Sequence, residues 1–275
     1  MQPSLDLKLC VKNQNNMKNE SKTLYIPLYG KAYVSKQNII LKDTDAQNIW
    51  EQEAFELQGK AKSKWLAYYM AMRSVTIDEY VQTNLQNDSC VLHLGCGLDS
   101  RYQRLACSQP WYDIDLKEVI EIRQKYFSEN DNYHMLVGDV SKPHFLQSIP
   151  YHKHGVIVLE GLTMYLSKDI LNELFHALSN HFETLDIILD AYSTFALKMS
   201  KKRNPINSVE ATASFGMDDG TILETETIKY QNQMNLCQEY QIQQLSKSEQ
   251  FIFKLLYTNK WTSKLYQIYT YTKTK

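Results

Sequence analysis

Apolar residues recur along this 275-residue chain with two different periods, and the alternation of those periods is the first clue to its architecture. Cys90 to Leu94 is a short apolar run that stops at Gly95-Cys96-Gly97, the pattern of a buried strand feeding a turn too tight for side chains. Trp111 to Asp115, Tyr133 to Val140, Gly155 to Glu160 and Leu185 to Asp190 repeat the short apolar run. The consecutive aliphatics Val156 to Leu159 are typical of a strand covered on both faces. Between these runs the period becomes helical. Leu116, Val119, Ile120, Tyr126 and Phe127 share one side, and Ile170, Leu171, Leu174, Phe175, Leu178 and Phe182 share another, with Ser167 placed as an N-cap. Strand and helix in regular alternation predict an α/β fold with a doubly wound, mostly parallel sheet.

The flanks read differently. Residues 1–20 are rich in Lys, Asn and Gln and predict a loose tail. From Thr23 the chain turns apolar and aromatic. Asp45 to Leu57 reads as a helix, Trp65, Tyr68, Tyr69 and Met72 as an aromatic helical face belonging to the core, and Ile77, Tyr80, Val81 and Leu85 as a further short helix. Residues 21–88 therefore predict an N-terminal helical cap on a sheet domain spanning 89–275. Late in the chain, Leu223 to Tyr230, Phe251 to Tyr257 and Leu265 to Thr272 predict strands with a hairpin-like return.

Charge and cysteine content narrow the function. Basic and acidic residues number 30 and 31, for a net charge of -1, which offers none of the basic field that nucleic-acid binders need. The 5 cysteines, Cys10, Cys90, Cys96, Cys107 and Cys237, form no C-x-x-C pair and are odd in number, which argues against a disulfide framework and a zinc site. No metal is expected. The most apolar segment, Val156 to Leu166, is interrupted by Glu160, so no membrane span and no membrane partner are expected. Without a signal-peptide core at the N-terminus the reading is a cytoplasmic protein.

In open α/β sheets a ligand lies beyond the carboxyl ends of the strands, and a glycine turn after the first strand lets backbone N–H groups approach a nucleotide-like ligand. A dinucleotide site would supply a third glycine. Here that place is Ser100, preceded by Asp99, whose carboxylate would repel a diphosphate but not a cationic nucleoside such as S-adenosylmethionine. Asp99, Asp115, Asp139, Glu160 and Asp190 each close a strand or the loop after one, and such charges cost desolvation unless paired. Asp115, placed 20 residues after Gly95, suits the two hydroxyls of a ribose. A solvated turn acid or a helix N-terminal charge is the alternative. Asp139 is placed for the exocyclic amine of an adenine, with Val140 beside the ring. Glu160 needs a cation, either the ammonium of the ligand or a nearby arginine. His93 reads as core and Cys96 as a small spacer.

Taken together, Leu94-Gly-Cys-Gly-Leu-Asp-Ser-Arg101, Tyr112-Asp-Ile-Asp-Leu116 and Glu160-Gly-Leu-Thr-Met-Tyr-Leu166 resemble the L-G-x-G-L-D-T-R, V-D-L-P and E-G-x-x-M-Y-L motifs of the leucine carboxyl methyltransferase family. The bacterial branch of polyketide-type O-methyltransferases is the most similar. The resemblance extends to Ile26-Pro-Leu-Tyr-Gly-Lys31, Arg73, Asp190-Ala-Tyr-Ser193 and Phe215-Gly-Met-Asp-Asp219. It implies a Rossmann-like class I methyltransferase that uses S-adenosylmethionine. Lys31 and Arg73 would hold the methionine carboxylate, Gly95 and Gly97 its backbone, Asp115 the ribose, Asp139 and Val140 the adenine, and Glu160 the methionyl end. The spacing also admits Lys36 in place of Lys31. Ser100 stands where the family has threonine, and Lys117 where it has proline.

The reaction so implied is O-methylation of a small molecule, on a carboxylate or a hydroxyl. A protein C-terminal carboxylate is an alternative acceptor, and a nicotinamide-dependent oxidoreductase or a cofactor-binding protein without catalysis are readings of another class. Tyr165 and Tyr192, after the fourth and fifth strands, are candidates to orient the acceptor. No histidine stands in a base position.

Overall fold

The computed structural model describes residues 22–203 and 213–275, and among them three α-helices of ten or more residues precede the first strand. The expected loose tail lies outside the described residues. α1 (Tyr25–Lys36) and α2 (Thr44–Glu53) pack together, and α1 also packs along α3 (Lys64–Asn84). Asp43 caps α2 by accepting from the Ala46 N–H at 2.8 Å, and Ala54 ends it in the left-handed conformation. That stop is three residues earlier than Leu57, where the apolar pattern placed it. α3 is one continuous helix of 21 residues. The segments around Tyr68 and Val81, expected as two helices, belong to it, because no glycine or proline interrupts the turn between them.

The alternation from Ser89 onward folds as the periods predict. β1 (Ser89–Leu94), α4 (Arg101–Leu105), β2 (Trp111–Asp115), α5 (Lys117–Arg123), β3 (Tyr133–Val137), β4 (His154–Leu159), α6 (Lys168–His181) and β5 (Thr184–Tyr192) follow in order. Ser167 caps α6 by accepting from the Ile170 N–H at 3.2 Å. After α7 (Thr194–Arg203) come β6 (Lys229–Asn235), the short helices α8 (Glu239–Ile242) and α9 (Lys247–Phe253), and β7 (Tyr266–Lys273). The 7-stranded sheet runs β3-β2-β1-β4-β5-β7-β6. β1 to β5 are mutually parallel, while β7 lies antiparallel to β5 and to β6.

Alternate residues of each strand feed two cores. Val91, Trp111, Val158 and Ile188 face a core shared with Tyr25, Met72 and Val81 of the preceding helices. Leu92, Ile114, Leu159 and Ile187 face another with Leu174, Phe175 and Leu178 of α6. Helices on both faces leave the carboxyl ends of β1, β2, β4 and β5 as the place where the sheet can open to a ligand.

Two of the late strands fall elsewhere than expected. Leu223 ends a 3-10 turn, residues 224–228 are loop, and β6 starts only at Lys229. Phe251 to Tyr257 is the end of α9 and a π-helical turn over Lys254–Thr258. The capping box of Ser246 and Glu249, whose side chains and N–H groups bond reciprocally, starts a helix that β-propensity alone would not favour.

Candidate active site

Beyond the strand ends lies a cavity of about 700 Å³. Lys31 of α1, Arg73 of α3, Gly95 and Gly97 of the turn, and Asp115 at the end of β2 line it. So do Asp139, Val140, Glu160, Tyr165 and Tyr192, so the ten residues given cofactor or acceptor roles from the sequence border one space, while the rim acid Asp190 stands behind its wall. Lys36, the alternative to Lys31, does not line it; Lys31 is buried, with 2% of its surface exposed.

The turn after β1 requires its glycines. Gly95 and Gly97 have φ of +67° and +55°, a region that residues with a Cβ enter at a cost. A Cβ on Gly95 would also stand 3.0 Å from Leu162. This backbone aims the Gly97 N–H at Asp115 Oδ2 (2.8 Å), while the Leu116 N–H donates to Oδ1 (2.7 Å). Each Asp115 oxygen thus receives one backbone donor and keeps capacity for another. Burial pushes this carboxyl up to about 6, against the pull of the two N–H groups and of Arg123. Asp139 bends back on the next turn, its Oδ1 accepting from the Ser141 N–H (3.0 Å) and hydroxyl (2.6 Å).

Deeper in the cavity the charges are paired within the protein. Lys31 Nζ lies 3.0 Å from Asp99. Arg73 donates from Nε and Nη2 to Glu160 Oε1 (3.1 and 2.8 Å), and from Nη1 to Asp190 (2.9 Å) and the Tyr266 hydroxyl (2.7 Å). Arg101 donates to the other Glu160 oxygen and, from Nε, to Asp78 at 2.6 Å. Arg104 bridges Asp78, Asp99 and Asp43. Burial alone would raise the Glu160 and Asp99 carboxyls, but Arg73 and Arg101 hold the first below the usual range, and Arg104, Lys31 and Arg101 hold the second well below it. Asp190 goes the other way, raised by burial despite Arg73.

Of the two cations weighed for Glu160, the protein supplies arginine, and the pairing corrects the reading of Asp99. Asp99, Glu160 and Asp190 do not depend on a cationic guest, and Asp99 is no bare charge that would repel a diphosphate. The surplus is smaller. Lys31, Arg73, Arg101 and Arg104 face Asp43, Asp78, Asp99, Glu160 and Asp190, one more carboxylate than cation. Asp115 adds to it beside the glycine turn.

A second buried group fixes that turn from beneath. Arg123 donates to Asp113, to the Tyr133 hydroxyl (2.9 Å) and to the Gly97 carbonyl (2.9 Å). His93 joins the two groups, with Nδ1 3.1 Å from Asp113 and Nε2 3.1 Å from Arg101 Nη1. A guanidinium only donates, so Nε2 accepts and Nδ1 carries the proton toward Asp113. Burial lowers the imidazole, which stays neutral and structural, in keeping with its reading as core.

The opposite end is aromatic. Tyr69 stacks on Tyr257 with ring centroids 4.4 Å apart, and Tyr192 lies 4.6 Å from Tyr266. Tyr69 was expected in the core with Tyr68 and Met72; it is buried too, but it lines the cavity. Phe195, Met199, Leu256 and Leu265 complete the wall.

The sequence model of the leucine carboxyl methyltransferase family matches residues 18–179, more than half of the chain. The chain belongs to the leucine carboxyl methyltransferase family. This family member is 27% identical over 221 residues to the tetracenomycin polyketide synthesis O-methyltransferase TcmP of Streptomyces glaucescens, covering 78% of this chain and 82% of TcmP. It is 25% identical over 201 residues to the S-adenosyl-L-methionine-dependent methyltransferase dpfgK of Gibberella zeae, covering 66% and 67%. A methyltransferase-fold structure from Thermobifida fusca superposes with a TM-score of 0.56 at 12% identity, covering 90% of this chain and 94% of that one, a likeness of fold. As a leucine carboxyl methyltransferase family member, the protein is an S-adenosylmethionine-dependent methyltransferase with the Rossmann-like fold.

The sequence reading left several of the site's residues without a role. Arg101 closes the first family motif, and the resemblance assigns it no part. Its position at the start of α4, six residues past Gly95, was the available signal. Asp43, Asp78 and Arg104 reach the cluster from α1–α4 with no local signature. Tyr257 was hidden by its assignment to a strand.

Proposed function

We propose that the chain transfers the methyl group of S-adenosylmethionine to a carboxylate or hydroxyl oxygen of a small molecule. The observation that carries this is one cavity bordered both by the glycine turn with its charged groups and by an aromatic and aliphatic wall, with a volume within the usual range for a cofactor and a small ligand. The wall of tyrosines and aliphatics supports an organic acceptor over a protein C-terminus, as does similarity to TcmP, named for polyketide synthesis.

S-Adenosylmethionine brings an already activated methyl group on its sulfonium. Asp115, with one lone-pair direction open on each oxygen, would accept from the ribose hydroxyls, while Asp139 would accept from the adenine amine with Val140 against the ring. Gly95 and Gly97 leave room for close backbone approach. Lys31 and Arg73 would meet the methionine carboxylate, and Glu160 the ammonium, within a cluster whose surplus carboxylate suits a ligand of net positive charge. Tyr165 and Tyr192 would orient the acceptor oxygen to about 3 to 3.5 Å along the transfer axis, where proximity is worth several kcal/mol. An ionised carboxylate acceptor needs no general base.

The test is incubation of the purified protein with methyl-labelled S-adenosylmethionine and a cell extract. Label in the small-molecule fraction is the expected result, and label confined to protein would refute the acceptor class.

A further inference from the structure

Ten large apolar side chains stand exposed among the described residues, and seven of them come from two segments flanking the aromatic end of the cavity. Phe195 and Met199, one turn apart on α7, are 62% and 51% exposed and line the cavity mouth. Phe251 and Ile252 on α9 continue into Leu255 and Leu256 of the π-helical turn, and Leu256 lines the mouth as well. Trp261, 82% exposed, precedes Thr262, another lining residue. Charges within these segments are nearly all positive. Lys198, Lys247, Lys260 and Lys264 are exposed. The one carboxylate between residues 247 and 264, Glu249, is already engaged by Lys64 and Tyr68, each at 3.0 Å.

We propose that this face docks on an anionic lipid surface, so that the acceptor enters the cavity from the lipid side. Soluble proteins rarely leave so many large apolar side chains facing water around one cavity. Trp, Phe and Leu interleaved with Lys is the composition of elements that lie in a bilayer interface, and each lysine near an anionic leaflet adds attraction. A second copy of the chain is the poorer occupant, because a two-fold contact would set the lysines of one face against those of the other. Continuity of the patch with the cavity mouth through Phe195, Met199 and Leu256 ties docking to the site. No helix among the described residues is long and apolar enough to cross a membrane. The expectation of no membrane partner rested on the missing span, and surface docking needs none. Docking stands by itself, whereas acceptor entry rests on the methyl-transfer reading.

The full chain is sedimented with vesicles of phosphatidylcholine alone and of phosphatidylcholine mixed with phosphatidylserine. It pellets with the mixed vesicles and binds the neutral ones about tenfold or more weakly, a preference that salt erases. The variant carrying Phe251→Ser, Leu255→Ser and Trp261→Ser stays in the supernatant. Its melting temperature and S-adenosylmethionine affinity match the parent, since none of the three side chains lines the cavity. No pelleting with mixed vesicles overturns the proposal, as does equal pelleting of the variant. A parent dimer that the variant converts to monomer without vesicles assigns the face to a second copy instead. Loss of S-adenosylmethionine binding by the parent would count against the methyl-transfer reading and leave the vesicle result standing.

Discussion

At the Gly95–Gly97 end, the cavity is bounded by backbone N–H groups and by ionised side chains whose partners are themselves buried. At the Tyr165–Tyr257 end, it is bounded by rings and aliphatics carried on α3, α7 and the π-helical turn, of which Phe195, Met199 and Leu256 are open to water. The first end is over-determined. Asp78, Asp99 and Glu160 each have two or more buried cationic partners, so its geometry is fixed before a ligand arrives. At the second end Tyr266 is tied into that network through Arg73 and Asp190, whereas the exposed positions Phe195, Met199 and Leu256 can exchange one apolar side chain for another at small cost. A common methyl donor and a variable acceptor call for this division.

The largest effect should follow from breaking the charged cluster at its centre. Arg101→Met leaves Glu160, Asp99 and Asp78 short of a buried partner and should cost about 3–5 kcal/mol in a denaturant titration. A loss under about 1 kcal/mol, within the range of exposed pairs, would mean that the two ends are equally forgiving.

Asp115→Ala comes next. It should weaken S-adenosylmethionine binding by roughly tenfold or more, the equivalent of about 1–3 kcal/mol of hydrogen bonding to a charged group, as read by calorimetry. Unchanged affinity would remove Asp115 from the ribose assignment.

The same residue gives the cofactor end a pH signature. Its carboxyl is raised to about 6 by burial, above the ~3.9 of an unfolded aspartate. In the ligand-free protein its stabilising contribution is therefore present below about 4 and lost as the pH rises through about 6. Glu160 and Asp99, held low by their arginines and, for Asp99, Lys31, have the opposite sign. Their contribution is present above about 4, the unfolded value, and lost as the pH falls toward their depressed folded values. If the ribose hydroxyls donate to ionised Asp115, the rise in melting temperature caused by S-adenosylmethionine should shrink as the pH drops below 6, and Asp115→Asn should flatten that dependence. An increment constant from pH 7 to 5 would contradict the assignment.

The smallest changes belong to the aromatic end. Tyr165→Phe and Tyr192→Phe should each lower kcat severalfold while leaving S-adenosylmethionine affinity within about twofold, since removing one hydrogen-bonding hydroxyl costs about 1 kcal/mol. A parallel loss of cofactor affinity would show that the two ends are not separable.

The sequence by itself determined the strand-and-helix alternation, the glycine turn and the acids at the strand ends, because those depend on the period of apolar residues and on backbone freedom at two positions. The late helices escaped it. Phe251 to Tyr257 has the composition of a strand, and a capping box four residues long, Ser246 to Glu249, outweighed that preference. Only the tertiary structure decided which acids would be neutralised from within. Asp43, Asp78, Asp99 and Glu160 are far apart along the chain and converge on Arg101 and Arg104 solely because α1, α2 and α3 fold over the strand ends. Coulomb energy depends on distance in space and on the burial that folding creates, and neither quantity is written in the order of the residues.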